Sequence, residues 1–266
     1  MKRMRIVGLA LVAAFALGAI GVSSASAFPE IGRCVAKTGG KYLTSNCVSK
    51  GKGSFEWVKG AAKLHWSGAG GESVLEGASG IKISCKGNTS EGTYKLTSGA
   101  IKEVEKVKAT FTGCEVPLFS AECHGIRPLG APGEIITTEL KGPLKDGPNA
   151  KEVVQELKPQ IAKKGFAEFE CPAIGAIVYV GEGAEKGKET ILSVATPVDA
   201  EPALTSTSTY TAGPGGNQVP DHIKGSAVID NLESSTAGPK GKFEKSSQSQ
   251  TETLTNEEPL ELKYEA

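Results

Sequence analysis

Hydrophobic and polar residues alternate along most of the chain after residue 27, with a period of two. The clearest example is the run in which Val107, Ala109 and Phe111 alternate with polar residues. Successive side chains of a strand point to opposite faces, so this pattern predicts β-strands with one buried face. The same pattern predicts strands at 55–58, 81–86, 93–97, 135–140, 165–170, 190–194, 204–211, 227–229 and 260–264.

The segment 173–180 is almost continuously apolar, which predicts a central strand that is covered on both faces. The chain contains 34 glycines and 14 prolines, and many of them separate the predicted strands. About a dozen short strands between such turn signals predict an all-β fold. We therefore expect residues 28–266 to form a single large antiparallel β-sandwich or barrel-like domain. Within it, 28–66 is a candidate for a small N-terminal subregion closed by a disulfide.

Two interpretations fit the segment 139–157. Asn149 followed by Glu152 resembles a capping box, which would begin a short helix that Pro159 ends. The turn-forming residues 146–149 instead predict a hairpin with a strand on either side. We favour the hairpin, because a helix of about nine residues is marginal on its own.

Two later stretches are rich in turn-forming or small polar residues and poor in apolar ones. We predict flexible loops at 213–220 and 234–256 on this ground, with a partly ordered edge of the sheet as the alternative for the second stretch. Leu260, Leu262 and Tyr264 then resume the alternation, so we expect the chain to return to the sheet at its end.

The N-terminus has the features of a secretory signal peptide, which we assign to residues 1–27. Basic residues among the first five are followed by an uncharged apolar stretch at 6–22 and by the small-residue cleavage pattern Ala25-Ser26-Ala27. The apolar stretch is short for a membrane span. We therefore expect a mature protein that begins at Phe28, has no membrane span, and is secreted or held at the cell surface.

All six cysteines follow the predicted signal peptide, and export would place them in a compartment where disulfides persist. The sequence contains no C-x-x-C motif, which argues against a redox pair or a thiolate metal site. We expect structural disulfides that close two short loops and join two inward-facing positions, although the spacing leaves other pairings open. The expected pairs are Cys34 with Cys47, Cys114 with Cys123, and Cys85 with Cys171.

The chain is poorly supplied with catalytic residue types. It has three histidines and four aspartates, and it lacks the G-x-S-x-G, H-E-x-x-H, calcium-loop and phosphate-loop motifs. Asp221 and His222 are adjacent, but neighbours in an extended strand point to opposite faces, so we interpret them as part of a polar loop. We predict no catalytic residue, no cofactor, no metal site and no enzymatic activity.

The charge pattern gives no sign of a nucleic-acid partner. The sequence has 30 basic and 30 acidic residues, and the lysines are interleaved with glutamates rather than clustered. This distribution is typical of a solvated surface.

Both tryptophans, Trp57 and Trp66, lie in the segment 55–66, which makes them candidate ligand-binding residues. Exposed aromatic rings can stack on sugars or anchor a protein partner. The alternative, which we favour, is that both rings fill a core that has few other aromatic residues. Asn88-Thr89-Ser90 matches the N-glycosylation pattern, and we interpret it as a turn.

Several short motifs resemble those of an uncharacterised family of exported, disulfide-containing β-rich proteins from soil actinobacteria. The resemblance covers nearly the whole mature chain and implies an exported β-rich protein with paired cysteines. It implies no activity and no functional residue. The motifs are 29–34, Asn46-Cys47, Phe55-Glu56-Trp57, 111–114, 166–171 and 255–258.

Three functions are compatible with these features. The first is a non-catalytic module that binds a cell-envelope glycan, another envelope polymer or a surface protein. The second is a structural extracellular protein, and the third is a secreted hydrolase that uses glutamates or a histidine. We rank the binding module first, because the sequence combines export signals and a predicted β-scaffold with few catalytic residues.

Overall fold

A computed structural model describes residues 29–61, 63–181 and 190–264. The predicted signal peptide 1–27 and the mature N-terminus Phe28 lie outside these ranges. Within them the chain is all-β, as predicted, with four short 3-10 helices, and no helix in these ranges is long and apolar enough to cross a membrane.

The first ten strands are β1 (Glu30–Tyr42), β2 (Lys50–Lys59), β3 (His65–Gly70), β4 (Ser73–Gly77), β5 (Lys82–Cys85), β6 (Gly87–Thr97), β7 (Ala100–Thr112), β8 (Glu115–Val116), β9 (Ala121–Glu122) and β10 (His124–Arg127). The next ten are β11 (Glu134–Ile136), β12 (Leu140–Asp146), β13 (Val153–Pro159), β14 (Ala167–Cys171), β15 (Ala176–Val180), β16 (Ile191–Thr196), β17 (Ala203–Ala212), β18 (Gln218–Val219), β19 (Leu232–Ser235) and β20 (Glu244–Lys263). The 3-10 helices are Pro117–Phe119, Ala162–Lys164, Pro172–Ile174 and Pro214–Gly216.

Eight of these strands form a closed antiparallel barrel. Following the hydrogen-bonded neighbours around it gives the order β20, β3, β6, β7, β12, β13, β16, β17 and back to β20. The predicted alternation decides which side chains face inward. Val107 on β7 is buried, for example, whereas its neighbour Lys108 is exposed.

A second sheet continues from the same long strand. Its order is β10, β14, β15, β19, β20, β4, β5, β8 and β9. The first residues of β20 pair with β19 and β4, the middle of β20 pairs with β17 and β3 in the barrel, and its end pairs with β1. One strand of 20 residues therefore belongs to both sheets.

The prediction of a flexible loop at 234–256 is wrong, because most of this segment belongs to β20. Its serines, threonines and glutamines give little apolar signal, but both edges of the strand are paired and several of its buried side chains bond to polar partners. Ser246, for example, is buried against Ser234 across the sheet. The return of the chain to the sheet at its end is confirmed by the pairing of Leu260 with Ala203.

Several local predictions can be compared with the structure directly. The hairpin is confirmed, because β12 and β13 pair with each other. The strand predicted at 173–180 begins only at Ala176, because Pro172–Ile174 is a 3-10 helix. The prediction that both its faces are covered is wrong, since Ile177 is 41% exposed. No strand forms at 227–229, where Val228 and Ile229 are exposed.

Two other segments contain secondary structure where the sequence predicted a turn or a loop. The Asn88-Thr89-Ser90 motif lies within β6 instead of a turn, with Asn88 and Ser90 buried. The segment 213–220 connects β17 to the following chain, but it contains a 3-10 helix and the short strand β18, in which Gln218 is buried.

All six cysteines are paired, and the Cys34–Cys47 disulfide is as predicted. The other two predicted pairs are wrong, because the structure contains Cys85–Cys114 and Cys123–Cys171. Strand register explains the difference.

The residues next to these cysteines are strand partners. Ser84 pairs with Glu115, which brings the adjoining Cys85 and Cys114 together across β5 and β8. His124 pairs with Glu170 in the same way, so Cys123 meets Cys171 across β10 and β14. Cys114 and Cys123 do share a backbone hydrogen bond, but each side chain bonds to a neighbouring strand instead.

The hairpin of β1 and β2 has a small hydrophobic cluster of its own. It consists of Cys34, Tyr42 and Cys47, with Phe55 and Trp57 packed against it. The hairpin is attached to the barrel by the pairing of β1 with β20 and β7. The N-terminal subregion at 28–66 and the single-domain boundary stay predictions.

Non-reducing peptide mapping of the mature protein should recover the Cys123–Cys171 linkage. The double variant Cys123→Ala, Cys171→Ala should lose about 2–5 kcal/mol of unfolding free energy in urea, because the open chain has more entropy to lose on folding. Recovery of a Cys85–Cys171 peptide would contradict the register that pairs these strands.

Candidate functional site in the barrel interior

The barrel encloses a cavity, called here the lumen, with about 170 Å³ of free space. All eight barrel strands contribute lining residues, and side chains of β4, β5, β14 and β15 from the second sheet also line it. A closed barrel of eight strands has an interior that side chains can fill or that can hold one small ligand. Because cavities of about 150 Å³ can accept a benzene-sized molecule, the lumen has room for a ring-sized ligand.

The wall of the lumen is apolar on one side and more polar on the other. Neighbouring strands β7, β12 and β13 contribute mostly aliphatic and aromatic side chains, including Val104, Val107, Phe111, Leu140, Leu144 and Leu157. Strands β6, β17 and β20 contribute hydroxyl, amide and carboxyl groups, including Ser90, Ser208, Tyr210, Gln250, Glu252 and Asn256. A ligand with an apolar body and a polar end would match this division.

Glu252 is the central polar residue of this wall. It is 4% exposed, and its Oε2 accepts a hydrogen bond of 2.7 Å from the Ser90 hydroxyl. Burial raises the pKa of the Glu252 carboxyl, and the Ser90 hydrogen bond opposes that shift. Tyr210 lies close enough for its pKa to be raised by its own burial and then by the charge of Glu252. The protein therefore keeps an ionisable carboxyl group in a largely desolvated site.

A second polar group lies farther along β20. The Tyr94 hydroxyl donates to Oδ1 of Asn256 over 2.7 Å, and burial raises the pKa of Tyr94. Trp66 is the strand partner of Asn256 and is 7% exposed in the cavity wall. The indole N–H of Trp66 is buried without a hydrogen-bond partner among the described residues. A buried donor without a partner destabilises the fold, so a ligand acceptor near the indole N–H would supply the missing hydrogen bond.

The lumen reaches the surface at the connection between β16 and β17. Pro197 and Glu201 both line the cavity and are exposed. The loop of the β1–β2 hairpin holds this connection in place, because Ser45 donates to Glu201 and the Asn46 amide donates to the Asp199 carbonyl oxygen over 2.9 Å. The Cys34–Cys47 disulfide, which closes that loop, thus supports the mouth of the lumen.

A further carboxyl group lies just inside the mouth. Glu261 is 3% exposed, and among the described residues no other side chain donates a hydrogen bond to its buried carboxyl oxygens. Burial raises the pKa of Glu261 to about 8, an effect that Lys263 and the backbone N–H of Cys34 oppose and that Asp199 and Glu201 reinforce. A carboxyl group in this state is neutral or charged according to pH near neutrality.

The two tryptophans named from the sequence do not share a surface. Trp66 lines the lumen, whereas Trp57 is half-buried on the β1–β2 hairpin. There Trp57 packs against Lys263, whose Nζ lies 4.6 Å from the Trp57 ring centroid and 4.2 Å from that of Tyr42. The same ammonium group donates to the Cys47 carbonyl oxygen over 2.7 Å. The contacts of Trp57 therefore fasten the hairpin to the end of β20.

The three histidines are separated in the fold, and none of them lines the lumen. His124 pairs with Glu170 at 3.1 Å on the second sheet, and His65 lies on the outer face of β3. Asp221 and His222 lie in a loop, as predicted, where their side chains contact each other at 2.6 Å. Within the described ranges, no group of histidine, cysteine and acidic side chains could hold a metal ion.

Most of the lumen residues were missed by sequence reasoning. Glu252 and Asn256 fall in the segment that was predicted to be a loop. Their signal was nevertheless present, because Gln250, Glu252, Leu254 and Asn256 occur at every second position and all line the lumen. A period of two in polar residues can mark a strand that faces a polar cavity.

Gly92 is required beneath the ring of Trp66, because a Cβ atom at this position would overlap the indole. We expect Gly92→Ala to cost about 1–3 kcal/mol of unfolding free energy and to change the near-UV circular dichroism of the tryptophans. Gly71→Ala is the matched control, since a Cβ atom there meets nothing within 4 Å. Equal stability of the two variants would show that the indole does not rest on Gly92.

The raised pKa of Glu261 makes stability depend on pH. As pH rises from 4.5 towards 8, the unfolded chain loses this proton before the folded protein does, so this group reduces folding stability across that window. Glu261→Gln cannot ionise, and urea unfolding should show a smaller loss of stability than wild type over the same range. The control is Glu91→Gln on the outer face of β6, which should have the pH profile of wild type. If the stability of Glu261→Gln changed with pH as wild type does, the buried state of Glu261 would be contradicted.

Comparisons of the chain with models of protein families, with curated proteins and with solved structures find no match.

Proposed function

We propose that this chain is an exported, non-catalytic binding protein that acts in the cell envelope or outside the cell. Its ligand is a small, mostly apolar molecule with one polar end, held in the lumen of the barrel. The observation that carries the proposal is the barrel cavity of about 170 Å³, with an aliphatic wall on one side and Glu252 on the other. Largely preformed cavities with few convergent polar groups are typical of small-molecule sites.

The compartment is supported by the cysteines and by the N-terminal sequence. Three intramolecular disulfides indicate an oxidising environment. The signal-like pattern at 1–27 and the resemblance to exported β-rich proteins of soil actinobacteria are consistent with export. Neither identifies a ligand.

The lumen is a better candidate than an external aromatic surface. For a glycan chain or a surface protein, the partners considered from the sequence, the candidate contact residues were the two tryptophan rings, which would have to be exposed. Trp66 is 7% exposed, and the contacts of Trp57 are with Lys263 and the hairpin. We therefore assign the ligand to the lumen, and an envelope polymer could contribute only an end group of small size.

The proposal can be tested by measuring the binding of a panel of small aromatic and aliphatic compounds to oxidised mature protein by calorimetry. Ala109→Leu adds volume inside the lumen, whereas Ala69→Leu adds the same volume on the exposed outer face of β3. We expect Ala109→Leu to weaken binding by about tenfold or more, because the new side chain occupies the ligand's space. Ala69→Leu should leave the affinity unchanged.

Two results would contradict the proposal. One is the absence of binding by any compound in the panel, which would favour the structural extracellular protein. The other is an equal effect of the two leucine variants, which would locate the binding outside the lumen.

A further inference from the structure

Resting on the proposed function, we infer that the lumen selects a cationic ligand: a protonated amine carried on an aromatic or short aliphatic body, with Glu252 as its counter-ion. The ligand class follows from the charges that line the cavity. Its ionisable acidic residues are Glu201, Glu252 and Glu261. Among the lining residues that the structure describes, none is a lysine, an arginine or a histidine.

Glu252 lacks the partner that a buried carboxylate requires. Burial of an ionised carboxylate is expensive unless an opposite charge or several hydrogen bonds compensate it. The structure provides the hydroxyl of Ser90 at 2.7 Å, and no cationic side chain lines this wall in the described part of the chain. An ammonium group from a ligand would supply both the charge and the missing donors.

Acidic residues of the lumen also lie along the path by which a ligand would enter. Glu201 is exposed at the mouth, and Glu252 lies deeper in the lumen, opposite Ser208 of β17. Acidic groups in a cleft with low-dielectric walls attract cations and repel anions. The same arrangement therefore favours amine entry and discourages ligands that carry a carboxylate or a phosphate.

The aromatic residues of the lumen fit the body of such a ligand. Trp66, Tyr94, Phe111 and Tyr210 all line the cavity. Their rings offer apolar contact area, and their faces attract an ammonium group. The unpartnered indole N–H of Trp66 would be satisfied by an acceptor atom on the ligand body, such as a hydroxyl oxygen. The fullest match is a small amine that also bears an oxygen.

Three probes of one shape separate the charge from the apolar contacts: benzylamine, benzyl alcohol and benzoate. Each has one ring and one small polar group, which is cationic, neutral or anionic at neutral pH. Calorimetry with the oxidised mature protein should give about tenfold or higher affinity for benzylamine than for benzyl alcohol, and the weakest binding for benzoate.

Variants at Glu252 then identify the counter-ion. Glu252→Gln keeps the shape and removes the charge, so it should weaken benzylamine binding about tenfold or more and leave benzyl alcohol within about twofold. Glu252→Asp keeps the charge and should retain the preference for the amine. Glu91→Gln, which removes an exposed carboxylate from the outer face of β6, should change neither affinity.

The outcomes distinguish this inference from the function on which it rests. Equal binding of benzylamine and benzyl alcohol, sensitive to Ala109→Leu, would overturn the cationic class while the lumen remained the binding site. Retention of the amine preference in Glu252→Gln would overturn the counter-ion role. Binding of none of the probes would count against both proposals.

Discussion

Closure of the barrel through β20 is the constraint on which the rest of the structure depends. An open sheet exposes unpaired backbone groups at its edges, and closure removes them for the eight barrel strands. β20 makes this closure by pairing with β17 on one side and β3 on the other. Because the same strand continues into the second sheet and ends against β1, the position of every surrounding layer follows from it.

The closed barrel also creates the candidate site. Inward-facing residues at every second position of β20 place Glu252, Leu254 and Asn256 on one wall of the lumen. Strands β7, β12 and β13 place aliphatic residues on the other, and the Cys34–Cys47 hairpin supports the mouth through Ser45 and Asn46. An ionised carboxylate that is buried without a cationic partner costs stability, and the proposed ligand would supply that partner to Glu252.

The sequence predicted the class of fold because alternation survives wherever a strand has one apolar face, as at Val107 and Phe111. It failed at β20 because the barrel interior is polar there, and small polar residues in a strand resemble those of a loop. The cysteine pairs failed for a different reason. Disulfide pairing depends on which strands are neighbours in the sheet. The spacing of the cysteines along the chain does not reveal that β10 pairs with β14. The lumen could not be predicted for the same reason, because its lining residues come from segments that are distant in the sequence.

The two tryptophans allow the central claim, that the lumen is the binding site, to be tested most directly. Their indole N–H groups give separate NMR signals, which a Trp57→Phe variant would assign. Titration with a lumen ligand such as benzylamine should shift the Trp66 signal saturably and leave the Trp57 signal in place, because only Trp66 lies in the cavity wall. A saturable shift of Trp57 alone would instead locate binding on the hairpin and contradict the account.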